Sequence, residues 1–209
     1  MIEPLAFASF VLACAAIVVV PGPTVTVIIA NSLKSGSRAG LANVAGTQFG
    51  LAIMIVVLAL GLETIVTAMS HVFVYVKLLG AAYLIWLGVQ LWRSNGSLAD
   101  PTDMKVKRRS MNGYFWQGFL VIWSNPKALF FFGSFIPQFL NPDGNLAFQT
   151  VLLGGTFMIV ATVFDSVYAI LAGRTGTWLT SANVRLVERI SGTCLIGGGL
   201  WLAFSRRAA

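Results

Sequence analysis

Three polar groups stand where so apolar a chain has least reason to place them. They are Asn125-Pro126-Lys127 within "SNPKALFFFG", Pro21-Gly22-Pro23-Thr24 in the first apolar run, and Asp165 in the fifth. Asn is a favoured helix N-cap and Pro a favoured first helical residue, so "NP" starts a half-helix in mid-run. Gly22 and Pro23 can play the same parts, with Thr24 adding a hydroxyl. A helix N-terminus carries roughly half a positive charge and N–H groups without intrahelical partners. Two such restarts of opposite direction, with Lys127 beside them, make a place for an anion, and a carboxylate is the plausible guest. Asp165 is the only acid deep inside a span. At that depth a carboxylate faces a cavity, pairs with a cation or takes up a proton, so it reads as a substrate contact and a proton-coupling group. A structural pair with Lys127 is an equally open reading, and both hold if the pair opens during a cycle.

Other chemistry finds little support. Cys14 and Cys194 sit singly in apolar spans, without a CxxC spacing, and read as buried thiols. One His, His71, makes a His-based metal centre improbable, and no acid, base and nucleophile cluster suggests catalysis. The expectation is a chain that is not an enzyme and holds neither metal nor cofactor. Glu63 and His71 read as outer-loop residues, and Lys77, near the start of its span, as snorkelling to an interface.

The elements that must position these groups follow from composition. Hydrophobic residues make up 57% and charged residues 10%, with a mean hydropathy of +0.82, against roughly 25% charged residues in soluble domains. This marks an integral membrane protein. Spans are predicted over 5–30, 42–62, 72–93, 114–139, 147–172 and 186–205, each bounded by charge or turn residues. No segment alternates as a barrel strand would, so the expected fold is all-α, one six-helix transmembrane domain over 1–209. Its halves are 1–93 and 114–209, joined by the basic loop 94–113.

Lys and Arg orient the chain. With the N-terminus outside, the cytoplasmic loops hold Lys34, Arg38, Arg93, Lys105, Lys107, Arg108, Arg109, Arg174, Arg185 and Arg189, and the outer side only Arg206 and Arg207. Cytoplasmic loops are normally the basic ones, so both termini are expected outside. Topology therefore explains the pI near 9.9, and no nucleic-acid partner is needed. A cleaved signal is rejected, because no Lys or Arg precedes Lys34.

Three spans in each half force the second half to be inverted relative to the first, a common transporter plan. Taken singly, each proline site is better explained as a kink. Breaks in the first span of both halves instead point to a binding site. Gly46 and Gly50, a small-xxx-small pair, read as close helix packing. Whether Phe130 to Phe132 line a pocket or face lipid is left open.

The segments "PGPTVTVIIANSLKSGSRAGLANVAGTQFG", "VKLLGAAYLIWLGVQLW", "GFLVIWSNPKALFFFGSFIPQF" and "ERISGTCLIGGGLWLAF" together resemble the LysE/RhtB family of bacterial amino-acid exporters. The resemblance covers nearly the whole chain. It implies six helices in the inner membrane and efflux of amino acids or close derivatives driven by protons, with the lipid bilayer as surroundings and a homodimer left open. Carried over, the motif positions are Pro21, Gly22, Pro23, Gly46, Gly80, Tyr83, Leu84, Asn125, Pro126, Lys127, Pro137, Gln138 and Phe139. Two alternatives stand beside it. An ion or metal exporter would gather more intramembrane acids, His or Cys than Asp165 alone. A membrane enzyme or thiol-electron carrier would want paired cysteines or a catalytic cluster.

Overall fold

The structure, a computed structural model, describes residues 3–19, 22–68 and 108–174 continuously, without the side chains of 62–68, and individual helical positions within 78–93 and 185–203. All regular structure among the described residues is helical. The elements are α1 (Pro4–Val19), α2 (Pro23–Ser35), α3 (Ser37–Ala68), α4 (Met111–Trp123), α5 (Pro126–Phe130) and α6 (Leu146–Arg174). After α5 the chain continues as a π-helical turn (Phe131–Phe135) and a 3-10 turn (Ile136–Phe139).

α3 and α6 are each long and apolar enough to cross a membrane unbroken. Two further crossings are bent, α1 with α2 by 51° and α4 with the 126–139 segment by 52°. Both bends fall at the predicted proline sites. Helical positions also fall inside the third and sixth expected spans. The chain is an all-α, polytopic membrane protein, and the six-span count is consistent with it. Lys77, His71, Gly80, Tyr83, Leu84 and Cys194 lie outside the described residues.

Two expected linkers turn out differently. "NSLKSGSRAG" is helical on both sides of Gly36, which turns the chain at φ +83 and lets α3 begin at Ser37. Glycine adopts this left-handed region without a Cβ penalty, so one residue does the work assigned to ten. Glu63, expected in a loop, lies within α3, whose backbone stays helical to Ala68.

The main core joins α1, α3, the 126–139 segment and α6. Phe10 of α1, fully buried, has its ring centroid 5.9, 6.2 and 5.2 Å from those of Phe131, Phe135 and Phe139. Phe131 reaches α6 through Phe157 at 4.5 Å. Such offset or edge contacts suit the aromatic quadrupole and fix how α1 meets the second bent crossing. α3 and α4 approach more closely still. A Cβ on Gly46 would run into the Phe115 carbonyl, one on Gly118 into the Asn43 carbonyl, and one on Gly50 would lie 2.5 Å from Ile122. Gly46 and Gly50 thus serve close packing, as small residues do between membrane helices.

Four basic residues gather at one end of the bundle. Tyr114 Oη donates to Ser35 Oγ at 2.7 Å and accepts from the Arg109 N–H, and Ser37 Oγ donates to the Ile170 carbonyl, one turn before Arg174. Lys34, Arg38, Arg109 and Arg174 therefore share that end.

Candidate functional site

At α5 the local sequence does what Asn-Pro predicts. Asn125 is the N-cap, its Oδ1 accepting from the Lys127 N–H at 3.0 Å, and Pro126 takes the first helical position. α2 starts with Pro23 after an extended Gly22 (φ −122, ψ −171) and has no side-chain cap. The Thr24 hydroxyl accepts from Asn125 Nδ2 at 2.8 Å. That bond, fully buried, ties the two chain breaks together. α2 runs from it toward the basic end and the 126–139 segment runs the other way, so two opposed helix N-termini meet at one depth.

Beside the junction lies a cavity of about 40 Å³ bordered by Gly22, Thr24, Asn125, Lys127 and Asp165. Apolar side chains of Ile17, Leu51, Ile122, Phe131 and Phe157 complete much of the wall, and Thr47 adds a hydroxyl. The open question over the phenylalanines resolves residue by residue. Phe131 borders the cavity, Phe132 is buried, and Phe130 is 38% exposed. The volume suffices for about three waters at 10–15 Å³ of probe space each.

Lys127 Nζ donates to the Ile17 carbonyl at 2.9 Å. Ile17 belongs to the last turn of α1, whose carbonyls have no intrahelical donors. Tyr168 Oη serves the same helix end, donating to the Val19 carbonyl at 2.9 Å. The α1 terminus, broken off inside the bundle, is thus capped by a cation and a phenol. Asp165, 4% exposed, borders the same cavity within electrostatic reach of Lys127. Gly22 is packed against the ammonium, since a Cβ there would lie 3.4 Å from Nζ.

The structure therefore brings together Gly22, Thr24, Asn125, Lys127 and Asp165, with Pro23 and Pro126 as the first residues of the two restarted helices. Pro21 lies outside the described residues. Chemically, the cavity is bordered by a cation, an acid and Thr24 and Val25 of the first turn of α2, which has no side-chain cap. Together these can hold a small molecule with both a negative and a positive end. Among the described residues no three His, Cys, Asp or Glu side chains gather where a metal could sit. Cys14 is a buried, free thiol.

Some site residues escaped sequence reasoning. Tyr168 stands three residues after Asp165, hence on the same helix face, and that spacing was a usable signal. The Ile17 carbonyl offered none. Asn31 was hidden by the reading of 31–41 as a loop, whereas Asn43, Thr47 and Gln117 lie within predicted spans and were not singled out there. In fact Asn31 and Asn43 are fully buried. Asn31 Nδ2 donates to Asn43 Oδ1 at 2.6 Å and to Gln117 Oε1 at 3.0 Å.

The profile of the LysE type translocator family matches residues 15–206. The homoserine/homoserine lactone efflux protein of Salmonella typhimurium is 33% identical over 90% of this chain and 91% of its own length. Its counterpart in Salmonella typhi is 32% identical over the same shares. An uncharacterized membrane protein of Vibrio cholerae is 30% identical over 89% of this chain and 90% of its own. No solved structure matches.

Proposed function

The chain belongs to the LysE type translocator family, and from that premise we propose that it is a secondary exporter of amino acids or close derivatives across the bacterial inner membrane. The observation that carries the reading is that Lys127 and Asp165 border one cavity where both bent helices restart. An α-amino acid presents a carboxylate and an ammonium a short distance apart, and dehydrating both requires a partner for each. Lys127 and the first-turn N–H groups of α2 take the carboxylate. Asp165 takes the ammonium, directly or through water.

The family's homoserine efflux relatives point the same way, toward a small zwitterion or its lactone. Asp165 also serves as the proton-coupling group, since intramembrane acids commonly exchange protons during transport. The basic end of the bundle faces the cytoplasm and both termini lie outside, by the excess of Lys and Arg in those loops. Cells producing the chain and loaded with homoserine should show a lower internal and a higher external concentration than cells carrying an Asn125→Ala, Lys127→Gln double variant. Equal distributions for homoserine and for a panel of other amino acids would overturn the proposal.

A further inference from the structure

α2 is bounded by a chain break at each end, the extended Gly22 and the left-handed Gly36. Its 13 residues make a rod of about 20 Å at 1.5 Å per residue, reaching from the cavity to the basic end. Thr24 sits at the cavity end, with Asn31, Ser32 and Ser35 toward the other. Although mostly buried, α2 contributes nothing to the main core. Val25 and Ile29 cluster with Ala172, and Ile28 with Val44 and Ala169, in two small separate groups.

Its neighbours are held differently. α3 and α4 meet backbone to backbone at Gly46 and Gly118, and Asn43 Nδ2 donates to the Tyr114 carbonyl at 2.6 Å. α2 packs on α3 at Gly40, where a Cβ would run into the Ser32 hydroxyl and lie 3.2 Å from the Ile28 carbonyl, and it is further tied to the pair by side-chain hydrogen bonds, Asn31 to Asn43 and Gln117 and Tyr114 to Ser35. Hydrogen bonds between side chains exchange for water at little net loss, whereas parting a backbone-packed seam forfeits many contacts at once. The tie is also incompletely satisfied, because Asn31 Oδ1 and Ser32 Oγ are buried without partners. It stands directly below the cavity. Thr47 borders the cavity, and Asn43 lies one turn away on the same face of α3.

The cavity, at about 40 Å³, must widen before it admits a six-atom or larger solute. We propose that α2 is the gating element. The Asn31 amide lock, closed in this structure, shuts the basic end of the cavity, and it releases from Asn43 and Gln117 as α2 swings between its hinges at Gly22 and Gly36. Because the same rod carries the α2 half of the site at its other end, occupancy and gate position are linked. The proposal rests on the reading of the cavity as a transport site.

Spin labels at Lys34→Cys and Arg109→Cys, both exposed, in a chain with Cys14→Ala and Cys194→Ala, report the distance between α2 and α4 at the basic end. With and without homoserine, and across pH, the distance distribution should show two populations about 5 Å or more apart, the scale of one helical turn. A single narrow population under every condition would overturn the gate, whatever the substrate proves to be. In the same background, Asn31→Cys and Gln117→Cys joined by a short bis-methanethiosulfonate should lose more than nine-tenths of homoserine transport and regain it on reduction. Undiminished transport in the joined protein would also overturn the gate. A chain with native Asn31 and Gln117 that moves no amino acid, with two distance populations intact, would instead count against the amino-acid reading alone.

Discussion

Replacing Lys127 with Gln removes a full charge from the cavity while keeping an N–H donor, on a side chain one atom shorter, for the Ile17 carbonyl. The side chain's two roles, capping α1 and facing the solute, are thereby separated. A hydrogen bond to a charged group contributes about 1.5–3 kcal/mol, so losing its charged character should weaken amino-acid binding by roughly 10- to 100-fold. The matched amides lack the carboxylate, and their binding should change by less than about threefold. Lys127→Met, which can do neither job, should lower folded yield as well, because the α1 carbonyl is left without a donor in an apolar surround. Lys127→Arg should not restore binding. Gly22 is packed against the ammonium, and a planar guanidinium needs more room than that leaves. The assay is competition binding to purified, monodisperse variants with acid and amide ligands side by side. If the wild type strongly prefers acids and Lys127→Gln prefers them just as strongly, Lys127 does not hold the carboxylate.

Asp165→Asn should abolish gradient-driven accumulation in vesicles while leaving exchange of substrate across the membrane, and full gradient-driven activity would remove Asp165 from proton coupling. Gly46→Ala should destabilise the protein by about 3 kcal/mol or more, read as thermal unfolding in detergent, because the new methyl meets the Phe115 backbone carbonyl rather than a movable side chain. Gly155→Ala, with nothing within 4 Å of its Cβ position, is the matched control and should unfold at or above the wild-type temperature. A reporter active only outside the cytoplasm should be active when fused after Asp143 and silent after Lys105, and the reverse pattern would invert the proposed orientation.

The breaks at Pro23 and Asn125-Pro126 were legible because proline's missing N–H and fixed φ restrict where a helix can start, whatever surrounds it. The convergence of Lys127 and Asp165 could be posed from sequence only as a question. Which faces of α5 and α6 meet depends on side-chain packing, here Phe131 against Phe157, and spacing alone does not fix that. Asn31 was misread for a sharper reason. Asn, Ser, Gly and Arg together usually mark a loop, yet Gly36 makes the whole turn, and the flanking Asn31 and Asn43 are carried inside to bond each other. Glu63 was misplaced by the same habit, since a charged residue at the end of an apolar run need not end the helix.

Purified protein in proteoliposomes, preloaded with labelled homoserine and given an opposing pH gradient, measures the central claim with no other cell component present. Protein-dependent efflux is expected, slowed by other α-amino acids added inside, hardly affected by their amides, and lost in Lys127→Gln. Efflux no faster than from empty liposomes for every amino acid tried, from protein shown to be folded, would contradict the account.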